Sequence, residues 1–105
     1  MNAIVVMTTI ESSEAGEKIA SALVEEKLAA CVQILPPMTS IYRWKGDVQK
    51  ETEHLLLIKT TADRWEALSA FIETNHPYEV PELIALDAVN IAPKYREWLA
   101  AQIEP

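Results

Sequence analysis

Two β-rich runs, Ala29 to Trp44 and Val48 to Thr61, are joined by Lys45-Gly46-Asp47, and their length restricts the chain more than any other feature. Lys-Gly-Asp supplies the turn residues of a hairpin. The second run is polar in its first half and deeply apolar at Leu55-Leu56-Leu57-Ile58, so this strand starts exposed and ends central. A strand of about fifteen residues spans roughly 50 Å, whereas a globule of this size has a radius of gyration near about 13 Å. The hairpin tip must project. A two-stranded ribbon standing alone is marginally stable and leaves edge N–H and C=O groups unpaired, so another subunit is its natural cover. Tyr42 and Trp44 lie near the tip, where aromatic side chains anchor interfaces; a cross-strand pair within the ribbon is their other use.

The remaining segments supply a scaffold for that hairpin. Ala3 to Ile10 is almost wholly apolar and rich in Ile, Val and Thr, which suits a strand buried on both faces. Ser12 and Ser13 can cap a following helix, with Ala15, Ile19, Ala22 and Leu23 at helical spacing to about Lys27. Pro36 and Pro37 break the first limb of the hairpin and consign it to an edge or a bulge. A second helix is expected from Thr61 or Asp63, where Asp63 and Glu66 have capping-box spacing, and it turns Trp65, Leu68, Phe71 and Ile72 to the sheet. Asn75-His76-Pro77 ends it, a stiff connector runs from Pro77 to Glu82, and a fourth strand follows at Leu83 to Val89. A last helix opens near Pro93, and Trp65 and Trp98 are expected to pack in the core. The order βαββαβ with a trailing helix predicts an α+β, ferredoxin-like domain over residues 1–105, with an antiparallel sheet and helices on one face.

Composition narrows the function classes. The formal charge of −7 disfavours nucleic acid and anionic membranes as partners; it serves solubility, or raises the local concentration of cations. The first apolar run is too short to span a membrane and lacks a basic flank, and the lone Cys31 suits a reducing compartment, so the cytoplasm is the expected location. With only Gly16 and Gly46 there is no phosphate-cradling loop, and no G-x-S-x-G or H-E-x-x-H segment occurs. No enzymatic activity is expected.

Six segments stand out together: Leu28-Ala29-Ala30-Cys31-Val32, Ser40-Ile41-Tyr42-Arg43-Trp44-Lys45-Gly46, Glu51-Thr52-Glu53, Ile58-Lys59-Thr60-Thr61, His76-Pro77-Tyr78-Glu79-Val80-Pro81-Glu82 and the late Tyr95 to Trp98 pair. In their order and spacing they resemble the CutA family of divalent-cation tolerance proteins. The resemblance implies a homotrimer in which the long strands pair between neighbours, an architecture shared with the PII signal-transduction proteins. It also implies association with copper or another divalent cation, and clefts between subunits.

Among individual residues, His76 is the leading candidate metal ligand, held extended before a proline with Tyr78, Glu79 and Glu82 close behind. The same stiff loop also reads as a plain connector that orients the next strand. Met7 offers a soft thioether to a metal such as Cu(I), although the resemblance implies a Cys at this place in some relatives. An organic ligand in an inter-subunit cleft would instead draw on Tyr42, Trp44, Tyr78, Glu79, Glu82 and Lys59, as in a PII-like signalling or scaffold trimer. Cys31, between Ala30 and Val32, has no adjacent base to activate it and is expected to be a structural core thiol. His54, without a ligand at metal spacing, is expected to be structural too.

Overall fold

A computed structural model describes residues 2–105. At the middle of a five-stranded sheet, β1 (Ala3–Ile10) pairs antiparallel with β4 (Asp47–Thr61), from Ala3 opposite Thr61 to Ile10 opposite His54. The order across the sheet is β2 (Cys31–Ile34), β4, β1, β5 (Ile84–Asp87), with β3 (Met38–Trp44) running beside β4 beyond the end of β2. This is the ferredoxin-like arrangement that the apolar runs of β1 and β4 predict.

Side-chain alternation assigns the two faces. Ile4, Val6 and Ile10 of β1 and Leu56 and Ile58 of β4 meet Ile19 and Leu23 of α1 (Ser13–Glu25) and Leu68 and Ile72 of α2 (Trp65–Asn75). Each such side chain, fully buried, contributes on the order of 1.5–3 kcal/mol. Val5, Met7, Leu55 and Leu57 point the other way and are only partly buried, and Ile84 and Leu86 of β5 beside them are exposed. The described residues leave much of this second face open. Its far end is met by α3 (Pro93–Gln102), whose Leu99 packs with Ala30, Ile91 and Ile103.

The helix ends explain their lengths. Ser12 is extended and its hydroxyl accepts from the Ala15 N–H at 3.1 Å, which starts α1. Termination falls on Lys27 at φ 58°, where Lys27 N–H bonds the Val24 carbonyl and Leu28 N–H the Leu23 carbonyl. That pair is a Schellman cap, built on a lysine where glycine is the usual choice.

Three sequence expectations need correction. Asp63 and Glu66 form no capping box: a 3-10 turn, Ala62–Arg64, precedes α2, and Asp63 accepts from the Thr61 hydroxyl, which holds its carboxyl below the usual range. Trp98 lies outside the core, 44% exposed against Tyr95 at 5.5 Å between ring centroids, because Leu99 is the residue of α3 that faces inward. The strand expected at Leu83 to Val89 is confined to Ile84–Asp87, since β1 offers it a ladder only from Ile4 to Met7.

The hairpin is split as its prolines require. In β2 the paired residue numbers sum to 90, as in Ile34 opposite Leu56, and in β3 they sum to 91, as in Met38 opposite Glu53. One extra residue is therefore inserted at Leu35-Pro36-Pro37, which makes a β-bulge. The Leu55 carbonyl accepts the Leu35 N–H at 2.9 Å, and His54 Nδ1 donates to the Leu35 carbonyl at 2.9 Å. His54 thus staples the bulge. Beyond it the ribbon overhangs: β1 reaches only His54, so the β1-side edge of Asp47 to Glu53 has no strand partner among the described residues. Those seven residues extend roughly 24 Å, and the chain measures 44 × 25 × 23 Å overall.

Candidate functional site

The connector after α2 is shaped by His76. Its backbone is extended, at φ −81° and ψ 137°, and its ring, 8% exposed, turns back to β1. Nε2 lies 2.7 Å from the Thr9 carbonyl, and Nδ1 lies 3.1 Å from the Tyr78 N–H. A carbonyl can only accept, so Nε2 carries the proton and the Nδ1 lone pair takes the Tyr78 amide. The Thr9 carbonyl needs this partner. Carbonyls of odd-numbered β1 residues face β5, as the Ala88 N–H to Ala3 bond marks, and β5 stops pairing at Met7. His76 supplies the donor that a longer β5 would have supplied.

By fixing the Tyr78 amide, His76 also places the Tyr78 ring, which sits edge-on to the imidazole at 4.6 Å. The Tyr78 hydroxyl donates to Glu53 Oε2 at 2.7 Å, and Glu53 is only 7% exposed on β4. Burial first, and then this bond to the carboxylate, push the Tyr78 hydroxyl well above its ordinary pKa. Above the pair opens a cleft of about 620 Å³ between the ribbon and the connector. Ser40, Ile41, Tyr42 and Trp44 form its β3 wall, and Tyr78, Glu79, Val80 and Glu82 the opposite wall.

Known proteins with this layout are numerous. The family model described as "CutA1 divalent ion tolerance protein" matches residues 4–102. The chain belongs to the CutA1 family. It is 48% identical to the divalent-cation tolerance protein CutA of Thermus thermophilus over 95 residues, covering 90% of this chain and 92% of that one. It is 49% identical to the chloroplastic protein CutA of Arabidopsis thaliana over 96 residues, 91% of this chain but 53% of the plant protein. The chain thus spans about half the length of that relative. The crystal structure of CutA1 from Oryza sativa superposes with a TM-score of 0.95 at 43% identity, covering 99% of this chain and 95% of that one.

In this CutA1 fold the residues singled out from sequence fall into separate places. Tyr42, Trp44, Tyr78, Glu79 and Glu82 do converge on one cleft. Lys59 does not join them: it lies opposite Val5 on the second sheet face, beside Tyr95 and Leu99, with its ammonium on the Gln33 amide oxygen. Met7 faces the same open side between Leu57 and Ile84, away from the cleft lining. Cys31 is half-buried opposite Lys59 on that face rather than in the core. Glu53, Ser40, Ile41 and Val80 complete the cleft and were missed. The signal for Glu53 was its phase, since Glu51, Glu53, Leu55 and Leu57 alternate onto one side of β4 and the acid enters the face where it turns apolar.

Among the described residues, no three His, Cys, Asp or Glu side chains are grouped to hold a metal ion. As folded, His76 has no free lone pair to offer one. No helix among the described residues is long and apolar enough to cross a membrane.

Proposed function

We propose that this chain serves divalent-cation tolerance as a homotrimer, with copper among the cations it meets. One observation supports the assembly: among the described residues the β1-side edge of Asp47 to Glu53 is unpaired, and it adjoins an apolar sheet face that α1 and α2 leave uncovered. An open edge and an open face on one side of a small domain are both relieved by pairing with further copies of the chain. Copper does not fit a resident site within a single chain, because His76 is engaged at both nitrogens and no three His, Cys, Asp or Glu side chains are grouped to hold a metal among the described residues. Coordination would need donors from more than one subunit. Met7 and Cys31 project towards the face that assembly would cover, and a thioether with a thiolate suits Cu(I). The reading keeps the chain in the cytoplasm, where its single thiol stays reduced.

Native mass spectrometry with and without copper tests this reading. The expected species is three times the chain mass of 11.8 kDa, with copper retained on the trimer only. A monomer persisting at micromolar concentration would reject the assembly. A second reading, a PII-like signalling or scaffold trimer taking a small molecule, is favoured by the aromatic cleft between ribbon and connector.

A further inference from the structure

We propose that the cleft between the β3–β4 ribbon and the Tyr78 to Glu82 connector binds an organic polycation, of the linear polyamine class. The inference rests on the second reading above, that this cleft takes a small organic ligand, and it specifies the ligand's chemistry.

Charge sets the sign. Glu53, Glu79 and Glu82 line the cleft and no lysine, arginine or histidine does, in a chain of formal charge −7. A nucleotide phosphate would meet carboxylates on both sides of its path. Glu53 is the decisive residue, because it is 7% exposed and its one side-chain hydrogen bond is to a neutral hydroxyl, that of Tyr78. Carboxylates held so far from water are ordinarily paired with a cation, and none of the lining residues supplies one. A ligand ammonium would complete the pairing.

Shape and surface set the class. The carboxylates are not grouped tightly enough to share one metal ion. Several ammonium groups spaced by methylene segments can reach separated carboxylates, while the methylenes lie along Ile41 and Val80. Tyr42, Trp44 and Tyr78 add ring faces that attract ammonium groups, and the Lys45 ammonium already stands 5.6 Å from the centre of the Trp44 ring. The volume, about 620 Å³, is that of a small-molecule site.

The test is calorimetric titration of the full chain, in its native oligomeric state, with spermidine as probe and ATP as counter-probe. One spermidine per chain is expected. Glu53→Gln should weaken it at least tenfold while leaving subunit count and circular dichroism unchanged, and Trp44→Ala should weaken it by a smaller factor. Should Glu53→Gln fail to fold, the exposed-rim double variant Glu79→Gln/Glu82→Gln carries the same expectation of tenfold loss. Equal spermidine affinity in wild type and charge variants would overturn the proposal, as general attraction to an acidic surface. ATP binding without spermidine binding would reject the ligand class and keep the cleft. Binding of neither would reject both, with the neighbouring subunit as the occupant.

Discussion

Replacing His76 with alanine separates a structural imidazole from a metal ligand. The substitution removes the donor to the Thr9 carbonyl and the acceptor for the Tyr78 amide, both at a side chain only 8% exposed. Leaving a buried polar group without its partner costs about 1–3 kcal/mol, so two such losses come to roughly 2–4 kcal/mol once limited access of water at this edge is allowed for. Against a total stability on the order of 5–15 kcal/mol, that is a large fraction. Urea unfolding followed by tryptophan fluorescence, at one fixed protomer concentration, should show the midpoint fall by roughly 1–2 M, taking a slope of about 2 kcal/mol per molar. Copper titration of the same variant, under conditions where it stays folded, should match wild type. A midpoint shift equivalent to less than about 0.5 kcal/mol, together with lost copper binding, would refute the reasoning and restore His76 as a ligand.

Tyr78→Phe deprives buried Glu53 of its donor and should cost about 1–3 kcal/mol by the same unfolding assay. Because the Tyr78 pKa is raised on folding, the folded state holds its proton more tightly; that contribution is full below the unfolded value near about 10 and declines as pH rises above it. The wild type should therefore lose stability in an alkaline titration where Tyr78→Phe loses less. Lys27→Gly relieves a left-handed lysine at the end of α1 and should stabilise by about 0.5–1 kcal/mol, a rise of several degrees in melting temperature. At Gly16 an added Cβ would stand 3.3 Å from Ile10 Cγ2 and 3.4 Å from Leu56 Cδ1. Gly16→Val should cost about 1–3 kcal/mol, while Gly16→Ala should be nearly neutral because its gain in helix propensity offsets the squeeze.

The parts of the fold legible in the sequence are those encoded by neighbours along the chain. The apolar run of β1, the proline break before β3 and the Lys45-Gly46 turn are local signals, and the paired strands place them as expected. The cleft was legible only on one side. Tyr42, Trp44 and the connector announce themselves by residue type, but the contacts that organise them join distant residues: His76 with Thr9 across 67 positions, Tyr78 with Glu53 across 25. No periodicity carries such information. Lys59 stands apart for a related reason: charge type suggests a ligand rim, and it shares the strand phase of Glu53, but six residues of β4 carry it roughly 20 Å along that face to the end met by α3. Trp98 was assigned to the core by helical spacing, and one residue of rotation about α3 gave that place to Leu99.

The bulge at Leu35-Pro36-Pro37 acts as a parity bit in the backbone. Before it, even-numbered residues such as Val32 and Ile34 share the helix-covered side with Ile58 and Leu56. After it, even-numbered Ser40, Tyr42 and Trp44 share the opposite side with odd-numbered Glu51, Gln49 and Asp47. Losing the one extra residue would close the bulge and let β3 continue the register of β2, so Tyr42 would still face Gln49 and both aromatics would keep their side of the ribbon. Losing two would also slip β3 by one against β4 and turn Tyr42 and Trp44 to the reverse of the ribbon. Loss of a single residue from this segment is therefore the change of length that this half of the site can absorb.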